Sequence, residues 1–371
     1  MQIAIDGTEA LLARQTGTGV YLRQLIRHLL DSELSKDLTV LSMRGVDGDT
    51  EFIPGDRLRL LRSPMVRTFW TQVRLPLHMI AHRYDLVHLP DHKLPFWAPG
   101  DMIATILDLA VFKFPEMFEP MHRRRLEWFT RDAARRARRL LAISESTKND
   151  LTTILGVRPE RIVVTPLGAD PEIYRPDVEP RRRPVPYVFS VGALQPRKNF
   201  SLLIRAFKRA CAQWKEPVEL LIAGQRGWMW DSIEAEAKAP PFADRVHLLG
   251  YVPDESLPSL YQGAMIFALP SLYEGFGIPL VEAMACGAPV VASNVSSFPE
   301  VVGDAGLLLD PANEALWAEK LLMLFGNADL RQNLSRKSID RARRFTWNNM
   351  AHKTIAAYTE VLKEAGRWEE P

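Results

Sequence analysis

Four charged side chains carry the chemistry most readable in this chain. Glu274 and Glu282 bracket the string EGFGIPLVE, and Arg197 and Lys198 lie in the string GALQPRKN. Gly275 and Gly277 flank Phe276, so the loop backbone can take φ > 0 and approach a ligand closely. Arg197 and Lys198 offer what a departing diphosphate needs: a fork that grips two oxygens at once and a point charge. They precede an amphipathic segment, residues 200–212, with Leu202, Leu203, Ala206 and Phe207 on one side. Cations at a helix start oppose the helix dipole, and that mismatch points to an anion.

These residues need strands and helices to aim them. The apolar run at residues 265–269 reads as a buried parallel strand, ended by Pro270 and Ser271. Pro279 suits the start of a helix that carries Glu282 and stops at Gly287 and Pro289. Glu274 therefore sits at a strand's C-terminal end, where open parallel sheets bind ligands. The same strand–loop–helix plan recurs along the chain. Residues 2–6 form the first strand, and Gly17, Thr18 and Gly19 make a Gly-rich loop that opens a helix from Val20, where backbone N–H groups suit a diphosphate. Further strands are expected at residues 38–43, 58–61, 85–90, 102–109, 140–144, 161–167, 187–191, 218–223, 245–250, 290–292 and 307–309. His88 reads equally as a cleft residue or a satisfied core histidine. Asp91 and His92, past that strand's end, are the better cleft candidates. Trp228 and Trp230 read as cleft lining or, preferably, as cover for a core edge.

The string E-G-F-G-I-P-L-V-E, continuing into A-M-A-C-G-A-P-V-V, together with G-x-L-x-P-R-K-N, resembles the signature of glycosyltransferase family 4. The resemblance implies an α/β chain of the GT-B class: two Rossmann-like, doubly wound domains facing a cleft, with a C-terminal helix crossing back to the first. It implies a retaining, metal-independent transferase that moves a hexose from a nucleotide diphosphate. Glu274, Arg197, Lys198 and Asp108 would serve the reaction. Gly17, Thr18, Gly19, Gly224, Tyr251, Val252, Ser271, Gly275, Phe276, Gly277 and Glu282 would hold the donor, with Glu282 on the ribose hydroxyls. The two glutamates are thus not a glycosidase pair flanking one bond. The strings QTGTGVY and LQPRKN look most like bacterial mannosyltransferases of surface-polysaccharide assembly. That implies GDP-mannose, with a UDP-sugar as runner-up, and a glycan or polyprenyl-diphosphate-linked acceptor. No cofactor or metal is expected.

One departure matters. Relatives read T-x-H-D where this chain has Thr105-Ile-Leu-Asp108, so Leu107 replaces a histidine that touches the transferred sugar. Leucine neither donates a hydrogen bond nor relays a proton. Asp108 reads equally as a cap on the next turn. Leu107 keeps two rivals open: another GT-B enzyme such as a sugar-nucleotide epimerase, and a non-catalytic nucleotide-sugar-binding protein.

The domains are expected at residues 1–173, which would bind the acceptor, and 187–345, which would bind the donor. A Pro- and Arg-rich linker at 174–186 separates them, and a last segment at 346–371 returns to the first domain. The chain has 371 residues, enough for two cores, and a net charge of only +2, which favours no particular partner. Eight arginines from Arg123 to Arg139 crowd one amphipathic helix. They read as a solvated face or as a surface for an anionic membrane or a polyprenyl diphosphate. Nucleic acid is excluded by the sparse aromatics and the absence of a matching motif. Cys211 and Cys286 lack zinc-site spacing and read as core residues in a reducing compartment. The start lacks a signal-peptide plan and no apolar run reaches a membrane span, so a cytoplasmic protein, possible at the membrane's inner face, is expected.

Overall fold

Short runs rich in Val, Ile, Leu and Ala alternate with amphipathic segments, and such runs are stable only as strands buried on both faces by helices. The computed structural model describes residues 1–12, 16–43, 50–61, 67–177 and 183–368. It divides into two units: Met1–Leu167 with Trp347–Pro371, and Gly168–Thr346.

The strands of the first unit are β1 (Ile3–Asp6), β2 (Leu38–Ser42), β3 (Leu58–Leu60), β4 (Leu86–Leu89), β5 (Asp101–Ile106), β6 (Arg139–Ala142) and β7 (Ile162–Val164). Among the described residues they form one parallel sheet in the order β3-β2-β1-β4-β5-β6-β7. The second unit has β8 (Tyr187–Val191), β9 (Glu219–Ala223), β10 (Val246–Gly250), β11 (Ile266–Leu269), β12 (Val290–Ser293) and β13 (Gly306–Leu309). Its sheet is also parallel, in the order β10-β9-β8-β11-β12-β13. In each sheet the order reverses direction between the first strand and the fourth. There the loops leaving the C-terminal strand ends splay apart and leave a crevice. The reversal lies at β1/β4 in one unit and β8/β11 in the other.

Period-2 alternation sorts the side chains to the two faces. In the second unit Val188, Leu220, Ile222, Ile266 and Ala268 join one core with Phe200, Leu203 and Phe207 of the helix Phe200–Cys211. On the other face Phe189 and Phe267 contact the buried Tyr261 ring edge-on, at 5.4 and 5.2 Å. In the first unit Ala4, Val87, Leu89, Ala104, Ile106 and Leu140 pack with Trp70, Leu75 and Met79. The opposite face is partly polar. Tyr21 shares a hydrogen bond with Thr105, Thr105 with His88, and His88 with Tyr358, at 2.9, 2.8 and 2.6 Å, all four buried. This chain ties the helices Gly17–Leu30 and Trp347–Glu364 to β4 and β5. His88 is therefore a core histidine, and burial pushes its imidazole down to about 3.

Several expectations shift. The division falls at Leu167–Gly168, not after residue 173, because the segment beyond it is fastened to the second unit. Tyr174 stacks edge-on against Tyr261 and Gln262 bonds the Pro176 carbonyl. Of the expected linker, residues 178–182 lie outside the described residues. The returning segment begins at Trp347. The arginine-rich helix runs Pro120–Arg136, leaving Arg138 and Arg139 outside it and paired with Glu364. Arg123 and Arg136 pair with Glu127 and Asp132. Its exposed stripe is instead Met121, Arg124, Arg125, Trp128, Arg131 and Arg135. Cys211 and Cys286 are buried free thiols. Trp230 does pack on the core, under Arg226, but Trp228 is 54 % exposed. Among the described residues no helix is long and apolar enough to cross a membrane.

Candidate active site

The β8/β11 crevice brings the predicted charges together. After β8 the chain turns at Gly192 and winds through a 3₁₀ turn, Pro196–Lys198, to Asn199. Asn199 is left-handed at φ 55° and bonds the Pro311 carbonyl at 3.0 Å, which directs the next helix away. Arg197 and Lys198 thus belong to a turn before the helix, not to its first turn. After β11 comes Ser271, then the loop to Gly277, then the helix Ile278–Ala285 with Pro279 in its second position.

Lys198 Nζ lies 2.5 Å from Glu274 Oε1, and Arg197 Nη1 lies 3.3 Å from Oε2. Ser271 Oγ donates to Oε1 at 2.9 Å. Arg197 also donates to the Tyr273 carbonyl at 2.6 Å, and the Leu272 amide to the Arg197 carbonyl at 2.8 Å. From the other side Ser296 Oγ accepts the Glu274 amide, while Ser297 Oγ bonds the carbonyls of Glu274 and Phe276. The loop is held on both flanks before any ligand arrives. Burial alone would raise the Glu274 carboxyl. The charges of Lys198 and Arg197, with hydrogen bonds from Lys198 and Ser271, override it and hold the pKa at about 2. Both cations, expected to face a diphosphate, have a carboxylate partner in the fold. Ser296 and Ser297 escaped sequence reading because serines in a turn carry no distinctive pattern.

Glycine is required where backbone meets backbone. Gly224 ends β9 at φ 150°, and a Cβ there would stand 1.8 Å from the Gly192 carbonyl oxygen. Gly192, in turn, sits against the Lys198 side chain, whose Cε would be 3.1 Å from an added Cβ. Gly277 takes φ 96°, beside the Phe298 ring. Gly275 and Phe276 are buried, with Phe276 edge-on to Phe345 at 5.7 Å. Tyr251 and the part-buried Val252 follow β10 at the same sheet edge, Tyr251 half-exposed.

Glu282 lies in a different environment. It is 8 % exposed and accepts a hydrogen bond from Tyr261 Oη at 2.8 Å and another from Tyr174. Burial raises its carboxyl to about 7, the two phenols pull the other way, and Asp254 adds a little to the rise. One carboxylate of the site is thus firmly ionised, and the other titrates near neutrality.

The remaining predicted residues belong to the first unit. Gly17, Thr18 and Gly19 form the first turn of the helix Gly17–Leu30, not a loop before it, and Thr16 caps that turn by accepting the Gly19 amide at 3.2 Å. This helix start follows β1, and residues 13–15 lie outside the described residues. Asp108 follows β5, and its Oδ1 accepts the Ala110 amide at 2.8 Å, the turn-capping role. Leu107 is part-buried beside it. His92 shares a hydrogen bond with Thr130 at 3.0 Å, and Asp91 accepts the His92 amide.

Comparison with known proteins agrees with this geometry. Residues 16–173 match the family model "Glycosyltransferase Family 4" and residues 176–341 match "Glycosyl transferases group 1". The chain carries a family 4 glycosyltransferase domain followed by a group 1 glycosyl transferase domain. It is therefore an enzyme of the GT-B class, and its two parallel-sheet Rossmann-like units are those of that fold. It is 29% identical over 380 residues to O-antigen chain mannosyltransferase B of Escherichia coli, covering 95% of this chain and 98% of that one. It is 32% identical over 237 residues to the MMP alpha-(1->4)-mannosyltransferase of Mycolicibacterium hassiacum, 62% of this chain and 56% of that. Among solved structures it resembles sucrose-phosphate synthase from Thermosynechococcus elongatus, with TM-score 0.79, 20% identity and coverage of 98% and 100%. It also resembles WaaG, a glycosyltransferase involved in lipopolysaccharide biosynthesis, with TM-score 0.76, 17% identity and coverage of 96% and 99%.

Proposed function

We propose that this glycosyltransferase moves mannose from GDP-mannose to a glycan or polyprenyl-diphosphate-linked acceptor, with retention of anomeric configuration. The observation that carries the reading is the convergence of Arg197, Lys198 and Glu274 at the β8/β11 crevice, with Glu282 on the adjoining helix. The choice of mannose rests on the two mannosyltransferase relatives, and surface-polysaccharide assembly as the setting on the O-antigen relative alone.

The difficult part of such a transfer is the charge that grows on the departing diphosphate as the sugar becomes oxocarbenium-like. Arg197 and Lys198 already stand with their cationic ends in the crevice, so they stabilise that charge with little reorganisation. Glu274, ionised and fixed, lies where positive charge on the sugar would develop. Glu282 accepts the ribose hydroxyls, and the backbone around Tyr251 and Val252 meets the base. The leaving phosphate takes the acceptor's proton as the new bond forms on the same face. No step calls for a metal ion. The first unit, with Gly17–Gly19 at the start of its first long helix, supplies the acceptor side. The exposed stripe of Met121, Arg124, Arg125, Trp128, Arg131 and Arg135 suits an anionic membrane surface at the cytoplasmic side.

The test is transfer from GDP-mannose and from UDP-glucose, with and without a lipid-linked glycan acceptor, in the presence of a chelator. Acceptor-dependent release of GDP and an α-linked product support the reading. An epimerised nucleotide sugar formed without acceptor would establish the epimerase reading. Nucleotide binding without turnover would refute transfer from either of these donors.

A further inference from the structure

Glu282 is a buried carboxylate, and among the described residues no lysine, arginine or histidine lies within ion-pair distance of it. A buried carboxylate without a cation is costly unless hydrogen-bond donors face it. Two phenols supply them. Tyr261 is fully buried, locked edge-on between Phe189 and Phe267, and its hydroxyl meets Glu282 Oε2 at 2.8 Å. Tyr174 comes from the segment just past the division between the units. A turn on Asp170 positions it, with the Tyr174 amide donating to the Asp170 carbonyl at 2.8 Å, and its hydroxyl also reaches Glu282. The backbone N–H of its neighbour Arg175 donates to the Cys286 sulfur, one helical turn beyond Glu282. The segment is therefore laid along the helix that carries the carboxylate.

We propose that Tyr174 and Tyr261 are positioning residues that hold Glu282 ionised and in one orientation for the donor's ribose hydroxyls. The inference rests on the ribose role given to Glu282 above and adds what prepares it. Burial pushes both phenols up, so they stay protonated and keep a proton to donate to the carboxylate. Donated hydrogen bonds favour the charged carboxylate, against burial and the nearby Asp254; Cys286, the other titratable group here, stays a neutral thiol because burial raises it. Removing either hydroxyl leaves the aromatic packing in place and moves the carboxylate toward its protonated form, which accepts hydrogen bonds from ribose less well.

The experiment is calorimetry with GDP across about pH 6 to 8 on wild type, Tyr261→Phe, Tyr174→Phe and Glu282→Gln, alongside KM and kcat for the donor. Each Tyr→Phe variant is expected to weaken GDP binding roughly 3- to 10-fold near pH 6.5, the range of one ordinary hydrogen bond. The weakening shrinks toward pH 8, as the acid limb of affinity moves to higher pH. KM for the donor rises while kcat stays within about twofold, since the diphosphate contacts are untouched. A purely structural role would lower affinity equally at every pH. Superimposable affinity–pH curves for wild type and both phenylalanine variants, with Glu282→Gln still weakened, would overturn the positioning role and leave the ribose role standing. Glu282→Gln binding GDP like wild type would overturn the ribose role itself. Thermal melting of Tyr261→Phe checks that the fold survives, and Tyr174→Phe, at a part-buried site, repeats the test where folding is less at stake.

Discussion

Replacing Glu274 with glutamine separates the loop's stability from its chemistry. The substitution keeps the shape and removes the charge that Lys198 and Arg197 both face. The carboxyl is held at about 2, against an ordinary 4.5, by those cations working against burial. A shift of that size corresponds to about 3 kcal/mol favouring the ionised folded form, as an upper figure because glutamine still accepts from Ser271. The folded pKa is depressed, so this contribution is fully present above pH 4.5 and is lost as pH falls toward about 2. For a unit of this size the loss lowers Tm at neutral pH by roughly 6 to 12 °C. Calorimetric melting of wild type and Glu274→Gln at neutral pH and at about pH 3 checks the sign: the gap should narrow on acidification. Turnover should fall by roughly a hundredfold or more, as for loss of a preorganised charge in other sites. GDP binding should survive, because the two cations are freed for the diphosphate. Wild-type transfer by the variant, or a gap in Tm that widens in acid, would refute the reasoning.

Three further substitutions test the frame around the site and the core of the first unit. Gly224→Ala would drive a Cβ into the Gly192 carbonyl at 1.8 Å, so it should cost about 3 kcal/mol or more and weaken GDP binding by displacing the strand end that supports Lys198. Gly250→Ala, also at positive φ but with nothing within 4 Å, should cost only about 1 kcal/mol in the same melting assay. His88→Leu strands the buried hydroxyl of Tyr358 and should destabilise by about 2 to 4 kcal/mol. Its pH dependence is also predicted. The folded imidazole sits at about 3, below the ordinary 6.5, so the unfolded chain binds the extra proton and wild type loses stability as pH falls through that window. The leucine variant should lack that part of the acid loss in a melting series.

The alternation of strands and helices was legible in the sequence because it is local. Each strand declares itself by a short apolar run and each helix by its own period, and all thirteen expected strands stand within a few residues of their positions. The chemistry-bearing residues were legible for a related reason: glycines, cations and carboxylates clustered at strand ends need only strand polarity to face one sheet edge. What the sequence left open depended on partners distant in the chain. Lys198 meets Glu274 across 76 positions, and this pairing follows from the strand order that sets β8 beside β11. His88 became a core residue only when β4 was covered by the returning C-terminal helix. The expected linker start became part of the second unit because Tyr174 found Tyr261 and Glu282 there. Burial is a sum over neighbours that adjoin only in the fold. Two glutamates that look alike in one nine-residue string therefore end with opposite shifts, Glu274 beside two cations and Glu282 beneath two phenols.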